Sequence, residues 1–353
     1  MKPKERIISY REALVEAQTQ EMERDPRVFA YGLDVCDHVR IFGSTAGLVE
    51  KFGKDRVFGT PLSEDALAGF GLGAAINGLR PINIHIRVDF LALALNQIVN
   101  MISAYHYMSG GKAKVPLVFR ALIGRGWGQG MQHSKSLQAI FAHIPGLKVV
   151  MPTRPADAKG LLISAIRDDN PVIMLEQRWL YDTSGPVEPD AEKAIIPLGK
   201  GNIIRKGKDV TIVATSWMNI EALKAAEVLE KKHGVSAEIV DPRTIVPLDE
   251  EIILRSVEKT GHCVAADLDW LNCGFSAEVA ARVQEKLFGK LKSPVSRLGF
   301  ASVPCPTTRP LENIFYAGSG DIIRLIEKKL DLPEADLSEE QFYSHENKFK
   351  GPF

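Results

Sequence analysis

Apolar residues along this chain follow two different spacings. Short continuous apolar runs are typical of strands buried on both faces, and they alternate with longer stretches in which apolar side chains recur every three or four positions, as in helices with one buried face. The runs predict strands at 28–31, 81–86, 115–121, 147–151, 172–176, 210–214, 237–240, 263–266 and 295–298. The longer stretches predict helices near 64–79, 90–107, 134–143, 155–167, 219–233, 249–259, 275–288 and 321–330. This alternation predicts an α/β fold with mostly parallel sheets flanked by helices.

Two of the predicted helices carry local signals. Ser63 is a typical residue to cap the helix 64–79, and Glu64 and Asp65 stand in the first turn, where acidic side chains are favourable. Glycines lower the helix propensity of this segment, so we expect close packing against a neighbouring backbone at Gly69, Gly71, Gly73 and Gly78. In the helix 275–288 an apolar residue recurs every four positions, which predicts one buried stripe of Phe275, Val279, Val283 and Leu287.

The length and the distribution of glycine and proline predict two domains. A chain of 353 residues is too long for one ordinary hydrophobic core. Residues 181–208 contain several glycines and prolines and show no apolar period, which is typical of a linker that runs over the surface. We therefore expect a first domain at 1–185, a linker at 186–207, a second domain at 208–334 and a polar tail at 335–353.

Charge and cysteine content argue against several classes of protein. The 44 acidic and 44 basic side chains cancel, so no net field attracts the chain to nucleic acid or to a membrane surface. The four cysteines form no CxxC pair, which argues against a zinc site and against a disulfide framework. No apolar run reaches membrane-spanning length, and the amino terminus lacks an apolar targeting core. We expect a cytoplasmic or organelle-matrix protein with reduced thiols.

Several common catalytic and phosphate-binding motifs are absent from the sequence. No segment fits GxxxxGK[ST], GxSxG or HExxH, and the glycine pairs at 71–73 and 124–126 lack the third glycine of a dinucleotide fingerprint. An α/β chain without its own phosphate loop either borrows one from a partner or has another role.

Three polar segments stand out instead. They are TPLSE at 60–64, GRGWGQG at 124–130 followed by QHS at 132–134, and AIRDDNP at 165–171. TPLSE, QHSKSL at 132–137 and AIRDDNP resemble segments of the β subunit of pyruvate, acetoin and branched-chain 2-oxo acid dehydrogenases, in the transketolase superfamily. So do MERDPRVF, GLRPI, NQIVN, YMSGGKAKVPLVFR, HIPGLKVV, DAKGLL, DVTIVA and IVDPRTIVPLD. The similar segments extend from about residue 6 to residue 330 in the order found in that family.

The resemblance implies a shared active site. It implies a transketolase pyrimidine-type domain followed by a transketolase C-terminal-type domain, with thiamine diphosphate bound between an α and a β subunit of an α₂β₂ heterotetramer. In that family the α subunit binds Mg²⁺ and the diphosphate through a GDG motif, and this chain contains no GDG. It further implies a 2-oxo acid or acetoin as the substrate and a lipoyl-bearing acyltransferase, E2, as the acceptor of the acyl group.

Four residues of this chain match cofactor or substrate positions of the family. Glu64 resembles the glutamate that hydrogen-bonds the aminopyrimidine and promotes its imino tautomer, which then removes a proton within the cofactor. His133 resembles the histidine that faces the substrate and the lipoyl group. Ile86 and Phe90 resemble residues that pack on the aminopyrimidine. Without the resemblance, a helix-end carboxylate explains Glu64 equally well. His133 is then more often a capping or surface histidine, and Phe90 is ordinarily a core aromatic.

Another set of residues matches a site where mainly main-chain oxygens hold a potassium ion in the family. Oxygen ligands suit a hard cation, although a capped turn between a helix and a strand explains the same residues equally well. The matching positions are Leu117, Ala165, Ile166, Asp168 and Asn170.

The sequence also departs from the family. Leu33 replaces an acid linked to communication between paired active sites, so that communication is in doubt. Arg125 and Trp127 replace small residues, which predicts a reshaped substrate pocket. The segment HIRV at 85–88 replaces a mostly apolar stretch and adds a charge that must be paired or solvated.

Two other functions remain open at this point. One is a split transketolase-like carboligase that uses the same half-site without a lipoyl partner. The other is a non-catalytic assembly subunit, which the presence of both Glu64 and His133 disfavours.

Overall fold

The computed structural model describes residues 6–124 and 128–343. The chain divides into two compact units. Unit 1 comprises Met1–Ile123, Ile140–Leu198 and Thr244–Pro247, and unit 2 comprises Gly124–Ala139, Gly199–Arg243 and Leu248–Phe353. The chain therefore crosses between the units more than once. Residues 124–139 of the predicted first domain belong to unit 2, and the later passage after Leu198 falls within the stretch 186–207 that the sequence predicts as a linker.

The strands of unit 1 form a large sheet and a small one. The strands are β1 (Ile7–Ser9), β2 (Val28–Gly32), β3 (Val57–Gly59), β4 (Arg80–His85), β5 (Val118–Ile123), β6 (Lys148–Val150), β7 (Val172–Gln177), β8 (Ser184–Pro186) and, later in the chain, β12 (Thr244–Val246). The seven-stranded sheet has the order β12-β6-β7-β5-β4-β2-β3, and β1 pairs with β8 alone. All neighbours in the large sheet are parallel except β12 and β6. Every residue of β2, β4, β5 and β7 is buried, as expected for strands covered by helices on both faces.

Unit 2 contains a smaller sheet of the same kind. Its strands are β9 (Asn202–Arg205), β10 (Val210–Ala214), β11 (Ala237–Asp241), β13 (Cys263–Trp270) and β14 (Ser296–Phe300). They form a five-stranded sheet in the order β14-β13-β10-β11-β9, in which only β9 is antiparallel to its neighbour. The predicted α/β class with mostly parallel sheets is confirmed in both units.

Helices cover these sheets. They are α1 (Tyr10–Arg24), α2 (Leu48–Phe52), α3 (Glu64–Ile76), α4 (Val88–Leu91), α5 (Tyr105–Met108), α6 (Gln138–Ala142), α7 (Pro155–Arg167), α8 (Ala191–Ala194), α9 (Trp217–His233), α10 (Glu250–Thr260), α11 (Phe275–Leu287), α12 (Arg309–Phe315) and α13 (Ser319–Lys329). Among the described residues no single helix is long and apolar enough to cross a membrane. One bent pair, Val88–Ala94 with Gln97–Met108, satisfies length and composition only when its two parts are combined.

Several helix predictions need correction. The sequence interpretation missed α1, although Ser9 and Glu12 form the reciprocal capping box that commonly begins a helix. The predicted helix 90–107 is a succession of short α, 3₁₀ and π segments, because apolar spacing does not distinguish these hydrogen-bonding patterns. The predicted helix 134–143 begins only at Gln138, since Leu137 has a φ of 57° and cannot continue a right-handed helix.

The local predictions for the glycine-containing helix are also partly wrong. The side chain of Ser63 makes no capping hydrogen bond to α3. A Cβ at Gly71 would lie 2.4 Å from the hydroxyl of Tyr31, so the close contact there involves a side chain and not a backbone. No atom lies within 4 Å of a Cβ built at Gly73. By contrast, the apolar stripe of α11 is buried as predicted.

A fully buried ion pair lies at the centre of unit 1. Arg120 on β5 donates from Nε and Nη2 to the two carboxylate oxygens of Glu176 on β7, at 2.6 and 2.9 Å. Gln18, Ser44 and Tyr181 complete the network, with Arg120 donating to the first two and Tyr181 donating to Glu176. Burial opposes the charged form of Arg120, but the charge and hydrogen bonds of Glu176 raise the pKa of Arg120 above its usual value. Arg120 therefore stays charged in the core.

We expect Arg120→Met to destabilise unit 1 strongly, because the variant leaves the carboxylate of Glu176 buried without its cation. The cost should be roughly 3–5 kcal/mol in the free energy of unfolding, measured by urea denaturation. The matched control is Arg255→Met, which removes an exposed ion pair with Glu251 and should cost less than about 1 kcal/mol. A cost for Arg120→Met as small as that of the control would contradict this account of the core.

Two buried carboxyl groups lie on β13 in unit 2. Asp267 accepts hydrogen bonds from Thr215 at 2.8 Å and from Gln138 at 2.9 Å. Asp269 accepts a backbone hydrogen bond from Trp270 at 2.8 Å. Burial, reinforced by the charge of Asp267, raises the pKa of Asp269 to about 7. Asp269 is therefore largely protonated in the folded protein at mildly acidic pH.

This raised pKa predicts a pH dependence of stability. An unfolded aspartate ionises near its ordinary pKa of 3.8, whereas folded Asp269 ionises at about 7. The contribution of Asp269 to stability is thus fully present below pH 3.8 and is lost as the pH rises to about 7. Asp269→Asn cannot ionise, so its advantage in unfolding free energy over the wild type should be larger at about pH 8 than at about pH 5, by about 2–3 kcal/mol.

Denaturation in urea at both pH values checks this expectation. Asp55→Asn, at an exposed site, serves as the control and should change the free energy of unfolding equally at the two pH values. An advantage of Asp269→Asn that does not change with pH would show that the carboxyl ionises normally in the fold.

Candidate active site

A pocket in unit 1 lies at the carboxyl ends of two neighbouring parallel strands. β2 ends at Gly32 and β4 ends at His85, and both residues line the pocket together with Leu33. Glu64, at the start of α3, lines the same pocket. In parallel α/β sheets, ligands commonly bind where the strands end and the helices begin. The pairing of β2 with β4 therefore determines where this pocket lies.

Three residues that the family resemblance singled out meet in this pocket. Glu64, Ile86 and Phe90 all line it. Each of them is half-buried, whereas an ordinary core aromatic would be fully buried. Phe90 thus presents part of its ring to the pocket, which is the disposition expected of a residue that packs on a planar ligand.

Among the described residues that line the pocket, Glu64 is the only acidic one. It occupies the first position of α3, where the helix dipole favours a negative charge. The neighbouring Asp65 has another environment, since its carboxylate accepts a hydrogen bond from Gln97 at 3.2 Å. Leu33, which stands where the family has an acid, lines the pocket with an apolar side chain.

The enclosed space in this pocket is small. It measures about 20 Å³, which is close to what a single water molecule needs. The pocket formed by this chain alone is therefore too small to enclose a ligand of cofactor size. The carboxylate, the aromatic ring and the aliphatic side chain that line it are of the kinds that fit one side of an aminopyrimidine, which offers hydrogen-bonding nitrogen atoms and a flat apolar face.

Asn83 and His85 also line the pocket, and the sequence interpretation did not identify them as functional residues. They lie two positions apart on β4, so their side chains point to the same side of the strand. Nε2 of His85 lies 2.7 Å from Oδ1 of Asn83. The alternation along β4 was the signal that could have indicated this pair.

His133 belongs to unit 2 and is not among the residues that line this pocket. It follows the 3₁₀ turn Gly130–Gln132 and is half-buried. The segment around it is held within unit 2 by long-range hydrogen bonds. The hydroxyl of Tyr316 donates to the carbonyl of Ser134 at 3.1 Å, and the side chain of Gln138 donates to Asp267 at 2.9 Å.

A wider cleft of about 450 Å³ adjoins the His133 segment in unit 2. Met131 and Lys135, the residues two positions before and after His133, line this cleft with Trp270, Asn272 and Val303. The sequence interpretation did not find this cleft, because its walls come from segments far apart along the chain.

The residues matched to a potassium site surround the turn between α7 and β7. The guanidinium of Arg80 donates to the carbonyl oxygens of Ile166 at 2.9 Å and of Asp168 at 2.9 Å. The carbonyls of Leu117 and Ala165 accept backbone hydrogen bonds, and Oδ1 of Asp168 accepts from the backbone and side chain of Asn170. Each carbonyl oxygen has a second lone pair, so these bonds leave acceptor capacity for an ion.

Arg125 and Trp127, the predicted substrate-pocket residues, lie outside the described residues. Arg87, whose charge is unusual for this region of the family, is buried.

Comparisons with known proteins agree with this architecture. Residues 6–183 match the transketolase pyrimidine-binding domain and residues 199–322 match the transketolase C-terminal domain. A solved structure described as a split-gene transketolase in an inactive β4 tetramer superposes with a TM-score of 0.74, covering 93% of this chain and 99% of that chain. Its sequence is 24% identical, so it shows similarity of fold.

Sequence relatives are more informative. The pyruvate dehydrogenase E1 component subunit beta of Ascaris suum is 40% identical, covering 92% of this chain and 91% of the relative. The acetoin:2,6-dichlorophenolindophenol oxidoreductase subunit beta of Cupriavidus necator is 42% identical over 92% of this chain and 98% of the relative. The 2-oxoisovalerate dehydrogenase subunit beta of Bacillus subtilis is 40% identical over 92% of this chain and 98% of the relative. The chain thus belongs to the transketolase-related family of E1 β subunits of 2-oxo acid and acetoin dehydrogenases.

Proposed function

We propose that this chain is the β subunit of a thiamine-diphosphate-dependent E1 enzyme that decarboxylates a 2-oxo acid or cleaves acetoin. The observation that carries the proposal is the pocket of unit 1, in which Glu64 faces the same space as Phe90 and Ile86. Relatives that are 40–42% identical over nine-tenths of this chain carry names of such subunits.

The residues of this chain perform defined tasks toward the cofactor. When bound, thiamine diphosphate supplies the carbon nucleophile and the electron sink that decarboxylation of a 2-oxo acid requires. When the cofactor is bound, Glu64 would hold a proton at the pyrimidine ring nitrogen. Phe90 and Ile86 pack on the pyrimidine and exclude water from it. His133 stabilises developing negative charge or transfers a proton at the substrate and the lipoyl group.

The partners follow from what this chain lacks. It contains no GDG motif, so an E1 α subunit supplies the Mg²⁺ and diphosphate half of the site in an α₂β₂ heterotetramer. A lipoyl-bearing E2 acyltransferase accepts the acyl group. A potassium ion at the turn between α7 and β7 has a structural role, and Arg125 and Trp127 determine which substrate fits.

The alternative functions have less support. A split transketolase-like carboligase agrees with the structural neighbour described as a split-gene transketolase, but that protein is only 24% identical. The E1 β relatives are considerably more similar. An assembly subunit without catalytic residues would not need Glu64 in a ligand pocket.

Replacing Glu64 tests the catalytic assignment. Glu64→Gln keeps the shape of the side chain but removes the charge that favours the imino tautomer. In the assembled enzyme, exchange of the thiazolium C2 proton, followed by NMR after a quench, should slow by about two orders of magnitude. Asp65→Asn is the matched control, since Asp65 lies one residue further along α3 and bonds to Gln97. Equal exchange rates in both variants would return Glu64 to a helix-end role.

The half-site gives a second test. Titration calorimetry should detect weak or no binding of thiamine diphosphate and Mg²⁺ to the isolated chain, because its pocket is too small to enclose the cofactor. Addition of the E1 α subunit should restore stoichiometric binding. Tight binding by the isolated chain would contradict the shared site.

A further inference from the structure

The pocket that contains Glu64 holds a histidine that the proposed catalytic scheme does not use. His85 is the last residue of β4 and is 5% exposed. It lines the pocket together with Glu64 and Phe90, and its ring packs against Phe119 with the centroids 6.2 Å apart. A buried imidazole beside a ligand site requires either a complete set of internal hydrogen bonds or a ligand that supplies the missing one.

Asn83 determines which nitrogen of His85 carries the proton. The amide nitrogen of Asn83 points to the carbonyl of Tyr31 at 3.5 Å, which turns Oδ1 of Asn83 toward His85. That oxygen lies 2.7 Å from Nε2 of His85 and can only accept, so Nε2 carries the hydrogen and donates. Burial lowers the pKa of His85 to about 4, so the ring is neutral at neutral pH. Nδ1 is then the unprotonated nitrogen, with a free lone pair.

Nδ1 has no hydrogen-bond partner among residues 6–124 and 128–343. It is also absent from the fully enclosed polar atoms that lack a partner in those ranges, so it is not fully enclosed, and His85 lines the pocket. A purely structural histidine explains the contact with Asn83 but leaves this lone pair unused. Since an unused acceptor on a buried wall is costly, the arrangement indicates a donor that arrives with a ligand.

We propose that Nδ1 of His85 accepts a hydrogen bond from an N–H group of the bound aminopyrimidine, as a second polar contact beside Glu64. The inference rests on the proposed function, because it takes the pyrimidine half of thiamine diphosphate as the ligand of this pocket. The exocyclic amino group of an aminopyrimidine donates through two N–H bonds, whereas most of its other surface is apolar or accepting. A neutral imidazole with a fixed tautomer is a suitable acceptor for such a donor.

Binding measurements on the assembled α₂β₂ enzyme test this assignment without relying on turnover. His85→Phe retains the ring and its packing on Phe119 but removes the acceptor. Calorimetry should show thiamine diphosphate binding weakened about fivefold to tenfold, the scale of one neutral hydrogen bond. Binding of the analogue that lacks the 4′-amino group should change by less than about twofold in the same variant. Equal weakening of both ligands, or of neither, would overturn the assignment.

A second variant protects the test against misfolding. His85→Asn places an amide group near the position of Nδ1 and should recover part of the selective binding of thiamine diphosphate, whereas His85→Gln, which mimics Nε2, should not. In ¹⁵N-histidine spectra of the wild-type enzyme, Nδ1 of His85 should be unprotonated and should shift when thiamine diphosphate is added. A protonated Nδ1 would overturn the proposal.

The controls separate this inference from the proposed function. If Glu64→Gln slows C2-proton exchange while His85→Phe affects both ligands equally, the function stands and the role of His85 is wrong. If the assembled wild-type enzyme does not bind thiamine diphosphate at all, the proposed function fails and this inference fails with it.

Discussion

The close approach of two parallel strands is the constraint on which the pocket of unit 1 depends. β2 and β4 stay paired to the level of Gly32 and Ile84. A Cβ at Gly32 would lie 2.2 Å from the carbonyl oxygen of Ile84, and Gly32 has a φ of 153°. Only glycine satisfies both conditions without displacing a strand. This approach aligns the ends of the strands, so that the residues that follow them and the start of α3 share one space.

The carboxylate of Glu176 in unit 1 and the carboxyl groups of Asp267 and Asp269 in unit 2 are buried in different surroundings. The carboxylate of Glu176 is matched by an arginine, so its charge is compensated inside the sheet. Asp267 and Asp269 have neutral donors around them, and burial raises the pKa of each. Replacing a compensated pair with apolar residues is often tolerated, whereas removing one partner is not. The Arg120–Glu176 pair therefore depends on both of its members, whereas Asp267 is held by the neutral donors Thr215 and Gln138.

The sequence could predict what depends on local pattern. Apolar runs located each predicted strand to within a few residues, since a buried parallel strand needs a continuous apolar segment. Glu64, Ile86 and Phe90 were identified through similar segments in known families and lie together in the structure. The acceptor role of His85 could not be predicted, because it depends on a carbonyl of Tyr31 on another strand. The start of α1 could have been predicted from Ser9 and Glu12, and it was overlooked.

The segment that carries His133 has a consequence for the order in which the protein is completed during synthesis. Gln138 and Ser134 bond to residues that lie 129 and 182 positions later in the chain. When a ribosome has released the pocket around Glu64, the partners that hold the His133 segment have not yet been translated. A nascent or truncated chain that ends near Leu198 therefore contains every residue that lines the Glu64 pocket but not Asp267 or Tyr316. The histidine acquires its native surroundings only after the last third of the chain has emerged and folded.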